Sequence, residues 1–215
     1  MNARMQAPER GTLAKLTDLP SRANQFHAHV QSMGEPLRSE FKLPPVHQLG
    51  VMVPNVQKAA QDLEQLGYGS FFVAAGAPKF WRENGKERSI SGALAMGYRD
   101  NIEMELLEPG INTNWYRDSL DEGGTYAIQH LGYMVEDVDA AATPLTRAGF
   151  QLKVRGQLST LGLKCNFAYV DTRAAGGYIT EFISLSLFGI HVAPAKVYRP
   201  LAGLQKLLRI QSFNL

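Results

Sequence analysis

The feature that most constrains this chain is an internal repeat. Residues 48–68 (QLGVMVPNVQKAAQDLEQLGY) and 130–150 (HLGYMVEDVDAAATPLTRAGF) align without a gap at an offset of 82, and nine of the 21 pairs are identical. These are Leu49/Leu131, Gly50/Gly132, Met52/Met134, Val53/Val135, Val56/Val138, Ala59/Ala141, Ala60/Ala142, Leu63/Leu145 and Gly67/Gly149. Unrelated segments do not match at this density, so the chain holds two copies of one supersecondary unit.

Each copy opens with an apolar run of strand length that stops at Asn55 or Asp137, both suited to capping a helix N-terminus. Val56, Ala59, Ala60, Leu63 and Leu66 then recur at helical spacing, and Val138, Ala141, Ala142 and Leu145 match them. Gly67 and Gly149 stand where a helix ends in a left-handed residue, while Pro144 sits inside the second helical pattern as a discord. Three strand-like segments follow each helix, at 70–74, 92–98 and 102–107 and then at 151–159, 163–170 and 178–185. The expected fold is α+β: two tandem βαβββ modules forming curved mixed sheets around a shared cleft. The expected boundaries are an extension over 1–43 with little apolar period, a body over 44–186 (modules 44–110 and 125–186), and a tail over 187–215, helical at its end. The stretch 112–121 is expected to be a short linker helix. The polar loop 75–91, with Trp81, Arg82, Lys86 and Arg88, is expected either to be disordered or to cover an anionic or aromatic substrate.

Composition narrows the function classes. The 22 basic residues are scattered and nearly balanced by 20 acidic ones, so nucleic acid is not an expected partner. Cys165 is the only cysteine and is expected to be a small core residue; the chain suits a reducing compartment. No signal-peptide pattern and no run of about 18 apolar residues occurs, so a cytoplasmic protein without a membrane partner is expected.

The repeat also aligns chemistry. Gln48 falls on His130 at the heads of the first strands, and Glu105 lies opposite Glu181 in the last strands. A pseudo-two-fold axis between the modules would bring four metal-capable side chains to one point. Alone, Gln48 would read as a polar residue hydrogen-bonded to backbone. His47 aligns with Gln129, and neighbours on a strand face opposite ways, so Gln48 rather than His47 is expected to look into the cleft. A one-residue bulge would reverse that assignment. Glu103 shares the strand face of Glu105 and would substitute for it or line the rim. Glu108 is expected in solvent, as are His27, His29 and His191.

The segments Gln48-Leu-Gly-Val-Met-Val-Pro-Asn-Val, Ile102-Glu-Met-Glu105-Leu-Leu-Glu-Pro, His130-Leu-Gly-Tyr-Met-Val-Glu-Asp-Val and Gly177-Tyr-Ile-Thr-Glu181-Phe-Ile resemble the vicinal-oxygen-chelate superfamily. That superfamily includes glyoxalase I, methylmalonyl-CoA epimerase, the extradiol dioxygenases and the bleomycin-resistance proteins. The resemblance covers residues 45–186 and implies a metal site of Gln48, Glu105, His130 and Glu181, similar to that of zinc-type glyoxalase I. Mixed oxygen and nitrogen donors suit one divalent ion, Zn, Ni, Co or Mn. The resemblance further implies an isomerase, epimerase or lyase that takes a proton next to a carbonyl through a metal-stabilised enediolate. Glu181 is the first choice for the base and Glu105 the second. The substrate would be a small carbonyl compound or thioester; the sequence shows no recognisable glutathione-binding set. A metal-free binding protein of the bleomycin-resistance type is the alternative from a different class. An iron-dependent ring-cleaving dioxygenase would need His47 to face inward. The modules could close one site within a chain or be exchanged in a homodimer.

Overall fold

Residues 14–120, 126–160 and 162–214 are described by a computed structural model of the chain. Residues 1–13, the expected module start at 125, Asp121 of the expected linker helix and Leu215 lie outside them. The elements begin with α1 (Ala23–Phe41), β1 (Gln48–Met52), α2 (Val56–Gln65), β2 (Phe72–Gly76), β3 (Phe80–Glu83), β4 (Lys86–Glu87), β5 (Gly92–Arg99) and β6 (Ile102–Leu107). They continue with β7 (Ala127–Met134), α3 (Val138–Arg147), β8 (Gln151–Thr160), β9 (Leu163–Asp171), α4 (Arg173–Gly176), β10 (Ile179–Leu187), β11 (Ile190–His191), α5 (Pro194–Leu208) and β12 (Phe213–Asn214).

The repeat becomes two matching four-stranded sheets. The first runs β2-β5-β6-β1 and the second β7-β10-β9-β8. In each, the first strand pairs in parallel with the last, as β1 with β6 and β7 with β10. Antiparallel pairing of β1 with β7 joins the modules into one curved mixed sheet. The caps behave as their chemistry requires: Asn55 Oδ1 accepts from the Lys58 amide, and Asp137 Oδ1 accepts from the Asp139 and Ala140 amides. Gly67 and Gly149 end α2 and α3 at φ of 85° and 99°, where an L side chain is strained. Pro144 is carried within α3.

Alternation along the strands sends one set of side chains to each face. Leu49, Val51, Ile102, Met104, Leu106, Leu131 and Phe182 pack with Val56, Leu63, Val138 and Leu145 of α2 and α3. The opposite face carries Met52, Met96, Leu107, Phe167, Ile183 and Leu185, joined by Tyr198 and Ala202 of α5. Among the described residues, no helix is long and apolar enough to cross a membrane.

Three expectations need correction. The extension is not aperiodic, because Phe26, Val30, Met33, Leu37 and Phe41 lie along one stripe of the 19-residue α1, with Phe26 and Val30 fully buried. Internal Gly34 and Pro36 obscure that stripe in the sequence. Gly34 is needed there, since a Cβ would lie 2.5 Å from Val46 Cγ2 and 2.7 Å from the Tyr133 hydroxyl. Second, the 75–91 segment is not one loop. It forms the β3–β4 hairpin, and β3 crosses to pair with β8 of the other module, Trp81 opposite Gly156. Third, among its described residues the linker stretch holds only a single 3-10 turn, Arg117–Ser119. The tail does form a helix, α5, and its Gln205 amide clips β2, the outer strand of the first four-stranded sheet. Gln205 Oε1 accepts from the Val73 amide at 2.8 Å, and Nε2 donates to the Val73 carbonyl at 3.0 Å.

Candidate metal centre

The pairing of the central strands places the four expected ligands in two rows across the sheet. One row reads Glu105, Gly50, His130, Ile179; the other reads Glu103, Gln48, Gly132, Glu181. Each row carries a glycine from the repeat, and each glycine leaves the space that a partner side chain fills. A Cβ on Gly50 would lie 1.8 Å from His130 Cε1, and one on Gly132 would lie 2.5 Å from Gln48 Oε1. The paired glycines therefore let polar groups of the flanking strands converge over a flat patch of backbone.

Glu105, His130 and Glu181 are all buried, and one ligand atom from each lies within 4.8 Å of the others. His130 Nε2 is 3.2 Å from Glu105 Oε2 and 3.1 Å from Glu181 Oε2. A single ring nitrogen faces two carboxylates and has one hydrogen at most to share. Glu181 Oε2 consequently has no hydrogen-bond partner despite its burial, and neither has Gln48 Oε1. Gln48 lines the same cleft as Glu105 and Glu181, with its amide nitrogen 3.9 Å from Met96 Sδ. His47 is not among the side chains lining it, and its Nε2 is buried without a partner. Buried acceptors left unpaired around an imidazole nitrogen suit a divalent cation.

A bulge does lie next to the site, on the strand opposite the one considered from sequence. Pairing of β1 with β7 shifts by one residue between Gly50 and Val51, leaving Gln129 as the extra residue of β7. Gln129 Nε2 donates to the Trp115 carbonyl at 3.3 Å and to Ser119 Oγ at 2.9 Å. Its Oε1 therefore faces His130 Nδ1, at 3.0 Å. An amide oxygen only accepts, so Nδ1 carries a hydrogen, and once a bound cation displaces the Nε2 proton the ring is held in the tautomer that offers its Nε2 lone pair. The alignment of Gln129 with His47 pointed to a strand residue facing away. The bulge that turns it toward His130 arises from pairing between modules and left no local signal.

Electrostatics follow from burial. Burial lowers the tendency of His130 to ionise, but Glu181 and Glu105 outweigh it and push its pKa up to about 9. Burial, with Glu181 nearby, holds Glu105 above the usual carboxylate range. Glu103 is raised to about 8, chiefly by burial; the Tyr98 hydroxyl donates to it and opposes the rise. Tyr169 packs edge-on to His130 with ring centroids 5.1 Å apart, and its hydroxyl is 3.4 Å from that of Tyr116. Glu108 is not left in solvent: it accepts from the Val56 amide at the start of α2, at 3.0 Å. His191 is exposed, and Cys165 is a buried part of the cleft wall.

Residues 47–169 match the family described as the Glyoxalase/Bleomycin resistance protein/Dioxygenase superfamily. No curated protein is significantly similar to the chain. Among solved structures, methylmalonyl-CoA epimerase from Mycobacterium tuberculosis is 20% identical at a TM-score of 0.42, over 64% of this chain and 85% of its own. A Streptomyces coelicolor methylmalonyl-CoA epimerase variant in complex with 2-nitronate-propionyl-CoA is 15% identical at a TM-score of 0.47, over 70% of this chain and 99% of its own.

Proposed function

The chain belongs to the Glyoxalase/Bleomycin resistance protein/Dioxygenase superfamily, and from that premise we propose that it is a metal-dependent enzyme that moves a proton next to a carbonyl group. The observation that carries the reading is the buried convergence of Glu105, His130 and Glu181 from both halves of the repeat, with the unpartnered oxygen of Gln48 on the same cleft. These four residues would hold one divalent ion, Zn, Ni, Co or Mn. When bound, it supplies Lewis-acid polarisation of a substrate carbonyl oxygen.

The remaining chemistry falls to the chain. Glu181 accepts the proton from the carbon beside the carbonyl and returns it to the other face, as an epimerase, or to the neighbouring carbon, as an isomerase; in a lyase the proton is lost together with a leaving group expelled from the next carbon of the substrate. Glu105 is the second candidate for that transfer. Gln129 holds His130 in the tautomer that offers Nε2 to the ion. Tyr116, Tyr169 and the apolar walls keep water from the reacting carbon.

The test is metal analysis of untagged native protein beside Glu181→Ala and His130→Ala, with solvent-deuterium exchange into a panel of ketones, aldehydes and thioesters. The expected result is one divalent ion per chain in the native protein, its loss in both variants, and metal-dependent exchange next to the carbonyl. Failure of the native protein to take up any of the four metals tightly would overturn the reading and leave a small-molecule binding protein.

A further inference from the structure

The walls of the cleft say more about the substrate than its floor does. The cleft is narrow, with about 70 Å3 of accessible space below an open mouth. Its ionisable lining includes the carboxyl groups of Glu103, Glu105, Glu108 and Glu181, while among the described residues no lysine or arginine lines it. The rest is predominantly apolar, with Trp81, Leu94, Leu158, Phe167 and Leu185 around the space above the carboxylates.

The two arginines at the neighbouring hairpin have other partners, and Lys79 and Lys86 are exposed and do not line the cleft. Arg82 is 2.9 Å from Glu87, and Arg88 is 3.8 Å from Glu83. Arg155, on β8 beside the hairpin, is bidentate to Asp139. The crossing hairpin therefore contributes an aromatic wall. Trp81 is held there by its Nε1 hydrogen bond to Glu83, at 3.2 Å, and by ring contacts with Tyr116 and Phe167 at 5.8 and 5.9 Å.

Resting on the reading of this cleft as the reacting site, we infer that the part of the substrate bound inside it is neutral and apolar, an aromatic or bulky aliphatic carbonyl compound. A bound divalent ion would be balanced by Glu105 and Glu181. A substrate carboxylate or phosphate inside the cleft would then lose its water among apolar walls and find no lysine or arginine among the described lining residues to replace it. An acyl group bearing its own carboxylate is the wrong chemistry for these walls. A phenyl or branched alkyl ketone matches them.

The experiment uses 3-benzoylpropionate and its methyl ester as probes, which share a phenyl ketone with an adjacent CH2 and differ in charge. Binding is read by quenching of tryptophan fluorescence in metal-loaded native protein and in His130→Ala, and proton transfer by deuterium exchange at the CH2. The ester is expected to bind about 100-fold more tightly than the acid in both proteins, reflecting the cost of burying an unpaired carboxylate. Leu158→Arg, on a partly buried wall position, is expected to cut that ratio at least about tenfold by adding the missing cation. Equal or tighter binding of the acid to native protein would overturn the inference, whatever the metal content. A retained ester preference without metal uptake or exchange would support the inference and sink the proposed catalysis.

Discussion

Substituting Gly50→Ala tests the geometry of the metal centre without removing a ligand. The added Cβ would sit 1.8 Å from His130 Cε1 and 1.9 Å from Nε2. Ordinary carbon contacts begin at about 3.5 Å, so the ring must retreat by about 1.7 Å. Metal–ligand distances tolerate about 0.2 Å. The ring cannot simply swing aside, because Gln129 holds Nδ1 and Tyr169 packs against the ring. Gly50 has ordinary strand backbone, so the effect is steric rather than conformational. Overpacking of this kind costs about 1–3 kcal/mol, or about 6–12 °C in Tm at its upper end for a chain of this size. The assay is metal content per chain together with calorimetric melting, with Gly203→Ala in α5 as control, since nothing lies within 4 Å of its added Cβ. Gly50→Ala is expected to lose the metal and melt lower, while Gly203→Ala keeps the metal and melts no lower. Retention of the native metal affinity in Gly50→Ala would refute the placement of His130 in the site.

Gln129→Leu removes the acceptor at Nδ1 and is expected to weaken metal affinity by about 10–100-fold, read by chelator competition; Gln129→Glu, which keeps an acceptor, should restore most of it. Unchanged affinity in the leucine variant would place Gln129 outside the support of the metal. In chelator-treated protein, His130 at about 9 and Glu103 at about 8 both lie above their unfolded values of 6.5 and 4.5. The folded state therefore keeps protons that the unfolded state releases, and stability is expected to fall as pH rises from about 4.5 to 9. Glu103→Gln should flatten the lower part of that slope in melts run across the range, and a flat profile for the native protein would contradict the assignment. Gln205→Ala strips both hydrogen bonds from Val73 and is expected to cost about 1–3 kcal/mol in denaturant melts without loss of metal.

Much of the fold was legible because its signals are local. Strand length, the caps at Asn55 and Asp137, the helical spacing of Val56 to Leu63 and the terminal glycines depend on neighbours within a few residues, and the repeat doubled each signal. It also paired Gln48 with His130 and Glu105 with Glu181, which is why the candidate ligands are legible in the sequence. The repeat glycines Gly50 and Gly132 could be seen too, though not their purpose, which is to make room for His130 and Gln48 across the β1–β7 ladder.

What the tertiary structure alone decided depends on long-range pairing. The bulge that turns Gln129 toward His130 comes from the register between two strands about 80 residues apart in the chain, and no local pattern encodes it. The docking of α1 depends on Gly34 meeting Val46 and Tyr133, so helix-breaking residues that weaken the local signal permit the close approach. The crossing of β3 to β8 turns an expected cover into an aromatic wall, and the ion pairs of Arg82 and Arg88 take their charge away from the cleft. Sequence determined which chemistry the chain carries. Packing between distant segments decided which of those groups meet, and which charges are left to greet a substrate.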